Sequence, residues 1–373
     1  MINEIHIQNF RCFEDTWVSG FKNINLIGGL NNSGKTALLE ALFLASFPSP
    51  KTIGNLRKFR NENDILLKLE PKKAWNSFFF NENITEDAIF TLVNSAGETA
   101  ITFSCAQNDK PLAALLESRI STNDIANLLS NRFANILPLN VFGSGFNYVF
   151  FPDLEKDKEK DEISSFSLIG NEPKTYESSP FIHTSFRITD SKLAALFSMI
   201  EEDTKKINVF NSFLSFLDEK IVSCILTAPS GQAMLKILTK DGFRRSLGLF
   251  GDAIRKVVEI LLLLLSGTNK IIFIDEIENG IHFTKHKEFW EKLFEISVQL
   301  DIQIFATTHS IEMIQAFAEA AKGKYENKAM YFKMGTQQLK TRKRIIASPS
   351  TADLLEDNLS PLNLTPRQPF RGE

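Results

Sequence analysis

The tightest constraint on this chain is an eight-residue run, Gly29-Leu30-Asn31-Asn32-Ser33-Gly34-Lys35-Thr36, which fits the pattern GxxxxGK[ST]. It stands between a short apolar strand, Ile24-Asn25-Leu26-Ile27, and a helical run from Ala37 to Ala45, the order in which such a loop works. Gly29 and Gly34 free the backbone to turn the N–H groups of Asn31, Asn32, Ser33 and Ala37 toward one concavity. The positive end of the following helix dipole favours an anion there. Lys35 reaches the β- and γ-phosphates of a nucleoside triphosphate, and the Thr36 hydroxyl is a Mg²⁺ ligand. The bland alternative, a Gly-rich turn, loses ground to this strand-and-helix setting.

A second constraint lies more than two hundred residues further on. Lys270-Ile271-Ile272-Phe273-Ile274 is a continuous apolar run ending in Asp275-Glu276. A parallel strand covered on both faces has that composition, and ligands collect at the carboxyl ends of such strands. By itself the run is equally a strand ending in solvated acids. Beside the phosphate loop, Asp275 is placed to hold Mg²⁺ and Glu276 to polarise the water that attacks the γ-phosphate. A third strand, Ile302 to Thr308, is expected parallel to it and ends at His309, whose imidazole then reaches the γ-phosphate end. Ser246 to Ala253 places small residues, Gly251 and Asp252 among them, at the start of a helix running from Ile254 to Leu265. That is either a second anion site facing a partner's nucleotide or a simple Gly turn.

The 373 residues suffice for two domains or one with a long insertion, and 43% hydrophobic with 23% charged residues describes a soluble globular protein. The 33 Phe point to bulky cores. A formal charge of -3 makes the whole chain no magnet for nucleic acid. DNA contact would need a local patch such as Lys340 to Arg344, which is more simply a solvated strand edge. Cys12, Cys105 and Cys224 have neither disulfide nor zinc spacing and read as buried thiols in a cytoplasmic protein. The N-terminus lacks a signal-peptide layout, and no apolar run can span a bilayer, so no membrane role is expected.

Along the chain, Ala88 to Cys105 reads as a β-hairpin and residues 111–136 as helix. The charged run 153–162 reads as an exposed loop, Asp190 to Phe216 as helix, and Ile221–Thr227 and Ala233–Thr239 as strands. The organisation expected is an N-terminal half-head with an antiparallel β lobe (1–107) and a helical insertion (108–235). A C-terminal half-head (236–346) and a Pro-containing tail (347–373) follow. No heptad repeat is sustained, so no long coiled coil is expected.

The order of phosphate loop, Gly-rich helix start, Asp-Glu strand and His-ended strand resembles the ATP-binding-cassette (ABC) ATPases of the SMC, RecF and OLD type, in short members without a long coiled coil. Asn9-Phe10-Arg11 is similar to that family's "NFR" signature, whose Arg lies near the nucleotide. Ile274 to His282 resembles its Walker B strand and D-loop, and Thr307-Thr308-His309-Ser310 its switch-histidine segment. The resemblance implies an α/β P-loop head with a mixed sheet flanked by helices. It also implies ATP and Mg²⁺ as ligands, ATP hydrolysis, and a homodimer or higher homo-oligomer with nucleotides sandwiched between phosphate loop and opposing signature.

Two positions depart from the family. Gly251 and Ala253 stand where Ser and Gly are usual, so the γ-phosphate contact would rest on backbone N–H groups, and no Q-loop glutamine is assigned. OLD-type members append a TOPRIM nuclease after the switch histidine, but residues 310–373 hold no DxD pair and too few residues for one. A nuclease effector is therefore expected on a separate chain, by analogy with ATPase subunits of bacterial anti-phage systems. The rivals are a RecF-like DNA-repair ATPase clamping duplex DNA and a nucleotide-locked scaffold that barely hydrolyses.

Overall fold

In the computed structural model, which describes residues 1–62, 73–105, 139–152, 166–171, 173, 179–338 and 343–351, the first elements follow the sequence closely. Apolar residues alternate along β1 (Ile2–Phe10) and β2 (Phe13–Ser19), which pair antiparallel with Ile5 and Ile7 buried. β3 (Ile24–Gly29) is buried over almost its whole length, as an interior strand must be. The helix after the loop, α1 (Lys35–Ser46), is buried on every side through Leu38, Leu39, Leu42, Phe43 and Leu44, which is why its apolar residues show no single stripe. α2 (Pro50–Phe59) starts with Pro50 at its first position and with the Ser49 hydroxyl accepting from the Thr52 amide.

The expected hairpin forms as β4 (Ala88–Asn94) and β5 (Gly97–Cys105). Beyond it the chain differs from expectation. The region read as a helical insertion contains β6 (Leu139–Gly143), β7 (Phe146–Pro152) and β8 (Phe166–Asn171), which extend the antiparallel sheet to seven strands in the order β2-β1-β4-β5-β6-β7-β8. Val141 and the cross-strand Tyr148 pack into the core shared with α1 and α2, and Gly145 takes φ +83° in the tight turn between β6 and β7. The helix expected at 111–136, the charged run 153–162, Lys340 to Arg342 and the tail from 352 lie outside the described residues.

A short β9 (Phe181–Ile182) precedes two helices where one was expected: α3 (Asp190–Ser198) and α4 (Thr204–Leu217). The break falls at Asp203, whose carboxylate caps the second helix by accepting from the Lys205 and Lys206 amides. β10 (Ile221–Thr227), β11 (Met234–Thr239) and β12 (Arg244–Ser246) form a small antiparallel sheet. The remaining elements are α5 (Gly251–Ser266), β13 (Ile271–Ile274), α6 (His286–Leu300), β14 (Gln303–Thr307), α7 (Ile311–Ala321), β15 (Ala329–Gln338) and β16 (Lys343–Ser350).

The six-stranded sheet has the order β16-β15-β3-β14-β13-β9 and is parallel except for the β15–β16 pair. It is a wall between two cores. Leu26, Ile272, Ile274 and Ile304 face the core built with α3 to α7, whereas Ile27, Phe273 and Phe305 face the core shared with α1, α2 and the β lobe. The register sets Ile27 beside Thr307 and Ile274 beside Ala306, so β3, β14 and β13 reach the same edge together. The three sequence signals emerge at that edge. Among the described residues no helix is long and apolar enough to cross a membrane.

Candidate functional site

The loop after β3 takes a shape that only its own residues permit. Gly29 sits at φ +145°, and a Cβ there would lie 2.6 Å from the Met334 carbonyl oxygen and 2.9 Å from Ser33 Oγ. Asn32 at φ +63° and Gly34 at φ +93° complete the turn into α1. Lys35, the first residue of α1, donates from Nζ to the carbonyls of Gly29 (3.0 Å) and Leu30 (2.8 Å). Burial lowers its pKa, against the pull of Asp275, Glu278 and Glu276. Asn31 and Asn32 are exposed, while Ser33, Lys35 and Ala37 are buried.

At the carboxyl end of β13, Asp275 is buried and Glu276 half-exposed. Asp275 Oδ1 accepts from the hydroxyls of Thr36 (3.1 Å) and Thr307 (2.7 Å), which joins the phosphate loop to the acid strand. Thr307 Oγ1 in turn accepts from the Glu276 amide at 2.8 Å. The two Glu276 carboxylate oxygens are held separately: Oε1 lies 3.1 Å from His309 Nε2, and Oε2 accepts from Asn279 Nδ2 at 2.7 Å. The His309 amide donates to Glu278 Oε1 at 2.7 Å. A hydroxyl and a carboxylate at the rim of a phosphate loop are the hard oxygen donors that Mg²⁺ takes, so Thr36 and Asp275 fit the expected cation.

The phosphate loop and His309 border a cleft of about 490 Å³ lined by Arg11, Asn32 to Ala37 and His309, together with Cys12, Arg60, Glu62 and Ser77; Asp275 and Glu276 do not line it and join it through Thr36 and His309. Its volume falls in the range of small-ligand sites. Arg11 reaches it from a left-handed backbone, φ +52°, and donates to Glu40, Glu62 and the Ser77 carbonyl, while its buried Nη2 has no partner among the described residues. Gly251 and Asp252 do not line this cleft. They open α5 at an exposed corner, where Asp252 pairs with Arg187 at 2.7 Å.

Three groups escaped the sequence reading. His183 follows β9 and places Nε2 3.8 Å from Asp275 Oδ2, its ring stacked on Phe59 at 4.6 Å and its Nδ1 accepting from the Ser185 amide. Burial lowers its pKa, against the pull of Asp275 and Glu40, which favours the neutral ring carrying its proton on Nε2. Arg60 pairs with the fully buried Glu40 at 2.7 Å, and Arg11 with the same carboxylate at 3.0 Å. Lys256, on α5, is buried against the backbone of the two acids. The one signal in sequence was polarity at otherwise apolar positions: Glu40 within a Leu-rich helix and Lys256 before Val257 and Val258.

Residues 4–241 match the AAA domain family (AAA_23). That span takes in the phosphate loop and stops short of the acids and His309, whose placement rests on the geometry above. An ATP/GTP phosphatase of Helicobacter pylori is 25% identical over 341 residues, covering 87% of this chain and 89% of the relative. A DNA double-strand break repair Rad50 ATPase of Sulfolobus acidocaldarius is 25% identical over 202 residues, 53% of this chain but 21% of the longer relative. Among solved structures, the SMC head bound to the C-winged helix domain of ScpA superposes with a TM-score of 0.54 at 10% identity, covering 93% of this chain and 97% of the other. An SMC head with an extended coiled coil from Pyrococcus furiosus gives 0.51 at 9% identity, covering 96% and 98%. The chain belongs to the AAA domain family, and its fold is the P-loop, ABC-type ATPase head of the SMC class.

Proposed function

We propose that this chain binds and hydrolyses ATP with a divalent cation at the cleft between the phosphate loop and the ends of β13 and β14, and that it works as an assembly of identical copies. The observation that carries the reading is the hydrogen-bonded path from Thr36 through Asp275 and Thr307 to Glu276 and His309, which closes across 239 residues of sequence between its first two members. The loop amides and Lys35 would hold the phosphates, and Arg11 would lie alongside. Thr36 and Asp275 would hold Mg²⁺, which when bound offsets charge on the β- and γ-phosphate oxygens. Glu276, its carboxylate fixed by His309 and Asn279, keeps lone pairs free to accept a proton from water. His309, its Nε2 on Glu276, would face the γ-phosphate end of the nucleotide. The names of the Helicobacter and Sulfolobus relatives support the same chemistry.

The decisive experiment is a paired one. Lys35→Ala should lose Mg²⁺-ATP binding in calorimetry, while Glu276→Gln should bind and lose at least about a hundredfold of turnover, as expected for removal of a general base. Turnover by Glu276→Gln at the parent rate would remove the base assignment.

At the wider scale, the ATP state would gate a separately encoded effector nuclease in anti-phage defence, a reading supported by the resemblance to such ATPase subunits alone. The likeness to a Rad50 ATPase favours a second reading, direct clamping of duplex DNA. Fluorescence-polarisation binding to duplex DNA with Mg²⁺-ATP separates them: steeply salt-dependent affinity supports the clamp, and none supports the gated partner.

A further inference from the structure

The acid at the end of β13 has an unusual backbone. Glu276 lies at φ +48°, a left-handed conformation that is unfavourable for a residue with a side chain. Something must hold it. The Lys256 side chain on α5 is buried, and its ammonium donates to the Asp275 carbonyl at 2.9 Å and also to the Glu276 carbonyl. The Asn279 amide donates to that second carbonyl at 3.0 Å and closes the turn.

A second contact pins the same loop to the same helix. Gly280, at φ +81°, packs so closely on the first turn of α5 that a Cβ would come within 2.8 Å of Ala253 Cβ and 2.9 Å of its backbone nitrogen. Loop 275–280 is therefore tied to the first turns of α5 at two points. The helix start is exposed at Gly251, while Lys256 lies inside against the acids.

We infer that Lys256 is a positioning residue that locks Glu276 in its left-handed turn and thereby links the exposed start of α5 to the carboxylate facing His309. The inference rests on the reading of Glu276 as the base. An ammonium is the group suited to this task, since it donates to two adjacent carbonyls at once and carries no acceptor. Whatever seats on Gly251 and shifts α5 would then reach the base through this contact, with no residue of the seat touching the nucleotide.

The test compares the parent with Lys256→Met, Gly280→Ala, Glu276→Gln and the Lys256→Met/Glu276→Gln pair, measuring kcat, Mg²⁺-ATP affinity and amide hydrogen exchange. Lys256→Met should lower kcat by on the order of tenfold or more while leaving the Mg²⁺-ATP Kd within about threefold, the pattern of a lost transition-state interaction. Exchange protection should fall at the Asn279 amide and stay at β14. Gly280→Ala, which keeps the ammonium but forces loop and helix apart, should show the same split and keeps the question open to experiment should Lys256→Met fail to fold. The double variant should be no slower than Glu276→Gln. An unchanged kcat in Lys256→Met, or equal loss of kcat, affinity and protection throughout, overturns the inference. If Glu276→Gln turns over like the parent, the base assignment falls separately. The exchange result then decides on Lys256: lost protection at Asn279 upholds the lock and retained protection removes it.

Discussion

At the residue scale, what the sequence disclosed was governed by local backbone geometry. Gly29 and Gly34 were legible because a phosphate loop demands positive φ at those places, and both have it. Asp275, Glu276 and His309 were legible because each ends an apolar run. Glu40 was not. Within Leu38-Leu39-Glu40-Ala41-Leu42 it looks like the wet side of a helix, yet it is fully buried and accepts from Arg11 and Arg60. Its partners come from the residue after β1 and the residue after α2, so no short window of sequence contains the triad. The contact matters because removing one member of a buried pair leaves uncompensated charge. Glu40→Ala should therefore cost about 3 kcal/mol or more in urea unfolding, as for other broken buried pairs, and Glu40→Gln clearly less. A loss below about 1 kcal/mol for Glu40→Ala would mean that water already reaches both guanidinium groups.

At the element scale, strands and helices whose period survives in one stretch were read from sequence, such as the β4–β5 hairpin and the helix expected from Ile254 to Leu265, which opens three residues earlier at Gly251. Those set by long-range pairing were missed. β6 and β7 are β-rich but gain their meaning only by extending a sheet begun at the N-terminus. α5 illustrates what burial adds. Glu259 is 2% exposed on this helix, and burial pushes its carboxyl up to about 7, against the pull of Arg255 and Arg187 and the hydrogen bonds from Arg255 and the Ile188 backbone. A carboxyl whose folded pKa exceeds its ordinary value favours the folded state at low pH. That contribution is present below about 4.5 and is lost as pH rises through about 7. Stability should thus fall with rising pH across that window by on the order of 1 kcal/mol per unit from this group. Glu259→Gln, which cannot titrate, should flatten the difference. Chemical denaturation of parent and variant at pH 5 and pH 7.5 reads it directly, and equal slopes would show that Arg255 keeps the carboxylate charged in the fold.

At the scale of the whole molecule, four of the ten large apolar side chains exposed among the described residues flank segments of the candidate site. Leu30 (84% exposed) is in the phosphate loop, Leu249 (74%) precedes α5, Phe283 (62%) follows the acid loop and Ile311 (53%) follows His309. The other six, Phe243 (64%) and Trp17 (52%) among them, lie on other segments. If the chain works as the proposed assembly of identical copies, these four would lie in the interface, and two copies meeting there would bring the exposed Gly251 corner of each toward the phosphate loop of the other. That arrangement would give the helix start, which does not line the cleft of its own chain, a nucleotide to face. It also sets when association should occur. With Mg²⁺-ATP present and hydrolysis blocked by Glu276→Gln, light scattering should show conversion from one copy to two. Adding Leu249→Glu, which places a charge on that surface away from the cleft, should hold the protein monomeric while leaving Mg²⁺-ATP binding within about threefold. Dimers that persist with Leu249→Glu would relocate the interface. A Glu276→Gln protein that stays monomeric at saturating Mg²⁺-ATP would instead leave those four side chains to a different partner and Gly251 without a nucleotide to face.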